Sequence, residues 1–108
     1  MPDEERGKGR RSSFPLMDRL GELCTSGRDS AAYLWQVPDD AMVRQEMGRK
    51  LVEIRSECER QNRREMGRIV DELETAMAAS PSPQQIEILQ EGFDRLCKLW
   101  QAAKSGLM

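Results

Sequence analysis

Four arginines, Arg60, Arg63, Arg64 and Arg68, form the densest group of charged side chains that could contact a ligand. Guanidinium groups bind phosphate oxygens through paired, charge-assisted hydrogen bonds, so such a cluster is typical of nucleic-acid contacts. Acidic residues are interleaved with these arginines, and no aromatic residue lies among them to stack on a base. The cluster supports nucleic-acid association as an alternative function, and a solvated helix face is the competing interpretation.

Histidine is absent from all 108 residues of the chain. Its absence excludes nucleophilic catalysis by Ser–His or Cys–His pairs, and it removes the commonest zinc ligand. The stretch Gly7-Lys8-Gly9 is too short for a phosphate-binding loop and follows no strand pattern. We therefore expect a protein that is not an enzyme and that uses no metal or cofactor.

The three cysteines, Cys24, Cys58 and Cys97, are odd in number and far apart in the sequence. Each has apolar neighbours at helical spacing, which indicates small core residues with free thiols. No apolar run approaches the ~20 residues that cross a bilayer, and the first residues lack the layout of a signal peptide. These features predict an intracellular protein, cytoplasmic or nuclear, without a membrane partner.

Residues 1–13 combine proline, glycine, serine and both signs of charge, with Met1 as their only apolar residue. Such a segment buries too little apolar surface to offset the entropy of ordering, so we expect a disordered tail. Within it, Arg10-Arg11-Ser12-Ser13 matches a basophilic kinase site with Ser13 as the acceptor. Short motifs of this kind arise often by chance, so a solvated tail is the favoured interpretation.

The rest of the chain, residues 14–108, is predicted to be a helical bundle domain, because its apolar residues follow the 3–4 spacing of amphipathic helices. Ser26-Gly27 and Pro38 interrupt this pattern, since glycine and proline commonly end helices. Ser82-Pro83-Gln84-Gln85 has the order of an N-cap, a first-turn proline and a capping box. The predicted helices span about residues 14–26, 29–36, 39–79 and 83–105.

The stretch 39–79 contains no proline and only two glycines, so it predicts one helix of ~60 Å at 1.5 Å per residue. We interpret Gly48 and Gly67 as points where another helix approaches closely. The middle of the apolar stripe, residues 59–65, is polar. Either Asn62 forms a polar layer that fixes register, or the helix is exposed at this waist, which we favour because the whole stretch is polar.

The predicted fold is all-α and elongated. A long central helix forms an antiparallel hairpin with the helices before it and another with the helix after it, and dimerisation completes the bundle. Two layers of helices leave one apolar flank open to solvent. The residues on this flank are Val43, Val52, Val70, Ile88 and Leu99. Trp35 and Trp100 lie on apolar stripes and are predicted to be buried anchors.

These features favour a non-catalytic helical module for protein–protein interaction, such as an adaptor, a scaffold or a regulatory subunit. Its partner would be a second copy, giving a homodimer, or another protein, giving a heteromer. A helical chaperone or inhibitor is a third hypothesis, because methionine-rich stripes suit adaptable surfaces. Nucleic acid, bound by the arginine cluster and the basic tail, is the alternative partner. The predicted interface residues are Met47, Leu51, Ile54, Met66, Val70, Leu73, Met77, Phe93, Leu99 and Trp100.

Overall fold

Residues 18–104 are the part of the chain that the structure, a computed structural model, describes. No strand occurs in this range, which confirms the all-α prediction. None of its helices is long and apolar enough to cross a membrane. The predicted tail, its Ser13 kinase site and the predicted helix start at residue 14 lie outside the described residues. The helices are α1 Arg19–Leu34, α2 Ala41–Arg60, α3 Arg64–Ala78 and α4 Pro83–Lys104.

Helices that follow one another pack side by side, and α4 returns to pack against α1. Two hydrogen bonds at opposite ends of the bundle show that α1 and α4 run antiparallel. Trp100, near the end of α4, donates its indole N–H to Oδ1 of Asp18, just before α1, at 3.0 Å. Trp35, just after α1, donates to Oε1 of Gln90 in the first half of α4 at 2.6 Å. The four helices therefore close a compact bundle within a single chain.

We name the two ends of the bundle by their turns. The proline end carries the turns 35–40 and 79–82, which join α1 to α2 and α3 to α4. The Asn62 end carries the turn 61–63, which joins α2 to α3, together with the start of α1. The two ends hold different kinds of surface, one apolar and one rich in arginine.

The predicted continuous helix over residues 39–79 is wrong, because the chain reverses direction at Asn62. Asn62 has a φ of 58°, in the left-handed region that asparagine tolerates better than most residues. The N–H of Arg63 donates to the carbonyl of Cys58 at 2.8 Å, which is the closing bond of a Schellman helix end. The polar stretch is exposed, as favoured, but it is a turn between two helix ends and not the waist of one helix, so the bundle is compact instead of elongated.

The predicted break at Ser26-Gly27 is also wrong, since α1 continues through it to Leu34. Glycine costs about 1 kcal/mol relative to alanine inside a helix, so its presence here needs a reason. An added Cβ at Gly27 would stand 2.2 Å from the ring of Phe93 in α4. Gly27 therefore allows α1 and α4 to approach closely and does not end the helix.

Close approach occurs at different glycines from those predicted. No heavy atom lies within 4 Å of the place where a Cβ would stand at Gly48 or Gly67, so the prediction for these two is wrong. Gly21 lies against the indole of Trp100, where an added Cβ would be 2.5 Å from the ring. Gly92 lies equally close to a leucine of α3. The glycines that matter for packing are therefore in α1 and α4.

The core collects the apolar stripes of all four helices. Trp100 is 7% exposed, which confirms the prediction that it is a buried anchor. Trp35 is 46% exposed, so the same prediction for it is wrong. It follows Leu34, the last buried residue of α1, and its side chain lies beside the turn that contains Pro38 instead of inside the bundle.

The predicted open flank is not a continuous surface. Val70 is fully buried by the chain's own helices, and Val43 and Leu99 pack against the core. Only Val52 and Ile88 are well exposed, at 60% and 48%. A single chain already has a four-helix cross-section, so no missing layer calls for a second copy, and dimerisation stays a prediction.

Candidate functional site

The proline end carries a surface groove of about 390 Å³, which we name the Trp35 groove. Two turns that are distant in the sequence, 35–40 and 79–82, form its walls together with the first turn of α4. Its wall residues are mostly apolar. They include Trp35, Pro38, Asp39, Pro81, Pro83 and Ile86.

Trp35 is held in place although nearly half of its surface is exposed. Its indole N–H donates to Gln90 of α4, which fixes the ring across the boundary between α1 and α4. The chain around it exposes three more large apolar side chains, Tyr33 at 39%, Val37 at 37% and Met42 at 70%. Large apolar residues concentrated on one end of a monomer are typical of an interaction site.

Two polar side chains, the half-buried Arg44 and the buried Gln85, join the two turns that form the groove. Arg44 of α2 donates through Nε to the carbonyl of Pro38 at 2.7 Å and through Nη1 to Oε1 of Gln85 at 2.5 Å. Gln85 donates in turn to the carbonyls of Ala76 and Ala79, at 2.9 and 2.8 Å. These bonds satisfy carbonyls at the end of α3 and hold the two turns at a fixed separation.

The predicted start of α4 is confirmed in one respect and corrected in another. The Gln85 N–H donates to the Ser82 hydroxyl at 3.1 Å, so Ser82 is the N-cap. The Gln85 side chain does not reach back to complete a capping box, because it is only 3% exposed and serves the end of α3. Gln85, which the sequence assigns only to the start of α4, therefore links α4 to α2 and to the end of α3.

The charge at the rim of the groove is negative. Asp40 caps α2 and accepts hydrogen bonds from the Val43 N–H and the Tyr33 hydroxyl, which lowers the pKa of its carboxyl. Asp39 lines the groove and forms no ion pair within residues 18–104. The Arg44 guanidinium faces inward, toward Pro38 and Gln85. The groove therefore matches an apolar side chain with a basic neighbour better than an apolar side chain with an acidic neighbour.

The Asn62 end carries a second concavity of about 470 Å³, the arginine cleft, between the end of α2 and the start of α3. Of the four arginines that the sequence groups together, the structure places Arg63, Arg64 and Arg68 in this cleft. Arg60 points elsewhere and pairs with Glu57, which lowers the pKa of that carboxyl. Arg55, which sequence reasoning did not select, also lines the cleft.

Most of the interface residues predicted from the sequence are inside the bundle. Met77 and Leu99 are partly buried against the core, and neither lies in the Trp35 groove. The remaining eight are buried by the chain's own helices, with at most 7% of any residue exposed. They are Met47, Leu51, Ile54, Met66, Val70, Leu73, Phe93 and Trp100.

The sequence analysis missed the groove because it placed Trp35 on an apolar stripe, and so inside the bundle. Tyr33, Trp35 and Val37 lie within the five residues before Pro38, and two further prolines lie in and directly after the α3–α4 turn. Apolar residues at a helix end beside a proline are a signal of an exposed end surface, although the sequence does not show that two such turns meet. Their meeting depends on the antiparallel packing of the bundle.

All three cysteines lie in the core with free thiols, as the sequence predicts. Burial raises the pKa of the Cys24 thiol to about 12, with smaller effects from the neighbouring Cys97 and Cys58. Such a thiol stays protonated and unreactive near neutral pH. Within the described range, no group of three or more cysteine, aspartate or glutamate side chains is arranged to hold a metal ion.

Comparisons with known proteins add no relative from which a function can be carried over. No protein-family model, no curated protein and no solved structure matches this chain. The indications of function therefore come from the geometry of the Trp35 groove and the arginine cleft.

Proposed function

We propose that this protein is a non-catalytic helical module for protein–protein interaction, and that it binds an apolar side chain of another protein in the Trp35 groove. The observation that carries the proposal is the exposure of Trp35 in a fixed position, between two turns and held by Gln90. An adaptor, a scaffold or a regulatory subunit would use such a surface.

A fixed aromatic ring favours binding for two physical reasons. Tryptophan buries a large apolar area when a partner covers it, and it is enriched among the residues that dominate interface energies. The hydrogen bond to Gln90 and the rigid prolines 38 and 81 reduce the conformational entropy that binding would cost. The groove is thus organised before a partner arrives.

The chemistry of the groove indicates the kind of segment it accepts. Its walls are apolar, and Asp39 contributes a carboxylate that has no ion-pair partner in residues 18–104. A short segment with one apolar side chain beside lysine or arginine matches both features. A second copy of this chain, giving the predicted homodimer, is the competing occupant of the same surface.

A peptide selection tests the proposal directly. Peptides selected on the folded chain from a random library should share an apolar anchor with basic neighbours. Trp35→Ala should weaken the binding of these peptides by about 2 kcal/mol, a roughly 30-fold loss of affinity, since central aromatic anchors contribute most of the binding energy of an interface. Val52→Ala, which truncates a more exposed apolar side chain of α2 outside the groove, is the control and should have no effect.

Three results would count against this function. One is peptide binding that Trp35→Ala leaves unchanged while the variant keeps its helical circular dichroism, and another is a selection that enriches no sequence class. Light scattering that shows a stable dimer, dissociated by Trp35→Ala, would assign the groove to a second copy instead.

Asp39→Asn should remove the preference for basic neighbours and leave the preference for the apolar anchor.

A further inference from the structure

We propose that the arginine cleft binds a phosphomonoester group, carried by a phosphorylated protein side chain or by a small metabolite. The cleft lies at the Asn62 end, the opposite end of the bundle from the Trp35 groove. The two sites therefore share no residue, and each can fail without the other.

The charges in the cleft leave a local positive excess. Arg55 pairs with both Asp71 and Glu74, so this group of three side chains carries a net charge of −1. Arg64 and Arg68 form no ion pair within the described range 18–104, and Glu59 is the only lining carboxylate that is not already paired there. With Arg63, three guanidinium groups face Glu59 and the extra carboxylate of the Arg55 group, which leaves one net positive charge.

The fold sets the position of each of these three arginines. Arg64 and Arg68 are four residues apart on α3, so they lie one above the other on the same helix face. Arg63 lies in the turn, where its Nε donates to Oε1 of Gln61 at 3.0 Å and leaves its terminal nitrogens for a ligand. The left-handed conformation of Asn62 brings this turn to the mouth of the cleft.

The floor of the cleft is open because Gly67 lines it without a side chain. No heavy atom lies within 4 Å of the place where its Cβ would stand. Unlike Gly27, Gly67 is not pressed against another helix. It leaves room for a tetrahedral group between the arginines.

A single dianionic group fits this charge pattern better than a nucleic acid does. Glu59 lines the cleft and would repel the neighbouring phosphates of a polyanion. No aromatic residue lines the cleft to stack on a base. A phosphomonoester concentrates its charge on three oxygens, which suits bidentate contacts from arginine.

The first test uses inorganic phosphate as the probe on the full chain. At constant ionic strength, the side-chain Nε–Hε signals of Arg63, Arg64 and Arg68 should shift and saturate together in NMR spectra. Arg68→Gln should weaken binding about tenfold, as the loss of one charge-assisted contact predicts. Arg49→Gln removes an exposed arginine of α2 outside the cleft and should change nothing. Non-saturating shifts that are equal at all arginines would overturn the proposal.

A pair of glycine variants tests the space itself. Gly67→Leu should fill the floor and abolish phosphate binding, whereas Gly48→Leu places the same side chain in equally open space on α2. Both variants should keep the helical circular dichroism, because neither added side chain meets another atom at its Cβ. Equal phosphate affinity in the two variants would contradict the cleft as the binding site.

Three further ligands distinguish the source of the group. A phosphoserine peptide should bind more tightly than the same peptide without phosphate. If it also binds more tightly than glycerol 3-phosphate, the ligand is a protein; if glycerol 3-phosphate binds more tightly, the ligand is a metabolite. Both outcomes support the proposal. A short DNA duplex should bind more weakly than either. Tight DNA binding with a steep dependence on salt, weakened by Arg60→Gln as much as by Arg68→Gln, would overturn the proposal in favour of nucleic acid.

Discussion

Gly27 of α1 lies directly against the ring of Phe93 in α4, so closely that an added Cβ would stand 2.2 Å from Cε1 of the ring. Both residues are buried, and Phe93 is among the largest fully buried side chains of the core. The contact brings together the helices that close the bundle, the first and the last. It also explains why a glycine is present in the middle of a helix.

Alanine substitutions of the glycines should therefore have opposite effects in different helices. Gly27→Ala should destabilise the protein by about 1–3 kcal/mol, because the added methyl group overpacks the core against Phe93. Gly48→Ala and Gly67→Ala should stabilise it by about 0.5–1 kcal/mol, since open space surrounds these positions and alanine favours the helix. Urea denaturation of the three variants measures the effects. Destabilisation by all three would contradict the packing described for α1 and α4.

The buried side chain of Gln85 should be important for the proline end. Gln85→Leu removes the donor to the Ala76 and Ala79 carbonyls and the acceptor for Arg44, and it should cost about 1–3 kcal/mol. Gln84→Leu changes the exposed neighbour and should be nearly neutral. The free energies of unfolding of the two variants provide the comparison. A double-mutant cycle with Arg44→Met that gives no coupling energy would show that the Arg44–Gln85 bond does not stabilise the fold.

The turn at Asn62 should respond to backbone preference. Asn62→Gly should be neutral or slightly stabilising, because glycine adopts a φ of 58° without steric cost. Asn62→Ala should destabilise the protein by about 1 kcal/mol, since a Cβ without a compensating polar group disfavours the left-handed region. Thermal unfolding monitored by circular dichroism separates the two. A stable, longer particle for Asn62→Ala would instead indicate that α2 and α3 can join into one helix.

The burial of Cys24 predicts an alkaline dependence of stability. Its thiol pKa is about 12 in the folded chain, against 9.0 for an unburied thiol. Between these values the unfolded chain holds fewer protons than the folded one, so the free energy of unfolding should fall as pH rises from about 9 to 12. Cys24→Ala should reduce this slope, and Ser26→Ala, in the same helix, should not. Identical slopes in both variants would mean that Cys24 ionises without unfolding.

Local patterns in the sequence predict the all-α class and much of the core, but not every helix boundary. The 3–4 spacing of apolar residues identifies Met47, Leu51 and Ile54 in α2 as core residues, and Ser82 marks the start of α4. The turn at Asn62 is different, because a single left-handed residue among good helix formers leaves the apolar spacing almost unchanged. One such residue converts a predicted rod into a bundle.

The candidate sites depend on contacts between residues that are distant in the sequence. The density of arginines indicates a basic patch, but the turn at Asn62 decides that Arg63, Arg64 and Arg68 share a cleft while Arg60 does not. The Trp35 groove forms only when the turn 35–40 meets the turn 79–82. No local sequence pattern predicts this contact between the two turns.

The indole N–H signals of the two tryptophans test the central claim most directly. Trp35 lies in the groove, whereas Trp100 is buried and bonded to Asp18, so it is an internal control in the same spectrum. When a peptide selected on the folded chain is added, the Trp35 signal should shift and saturate while the Trp100 signal stays in place. A saturating shift of Trp100 with no change at Trp35 would contradict the assignment of the groove as the protein-binding site.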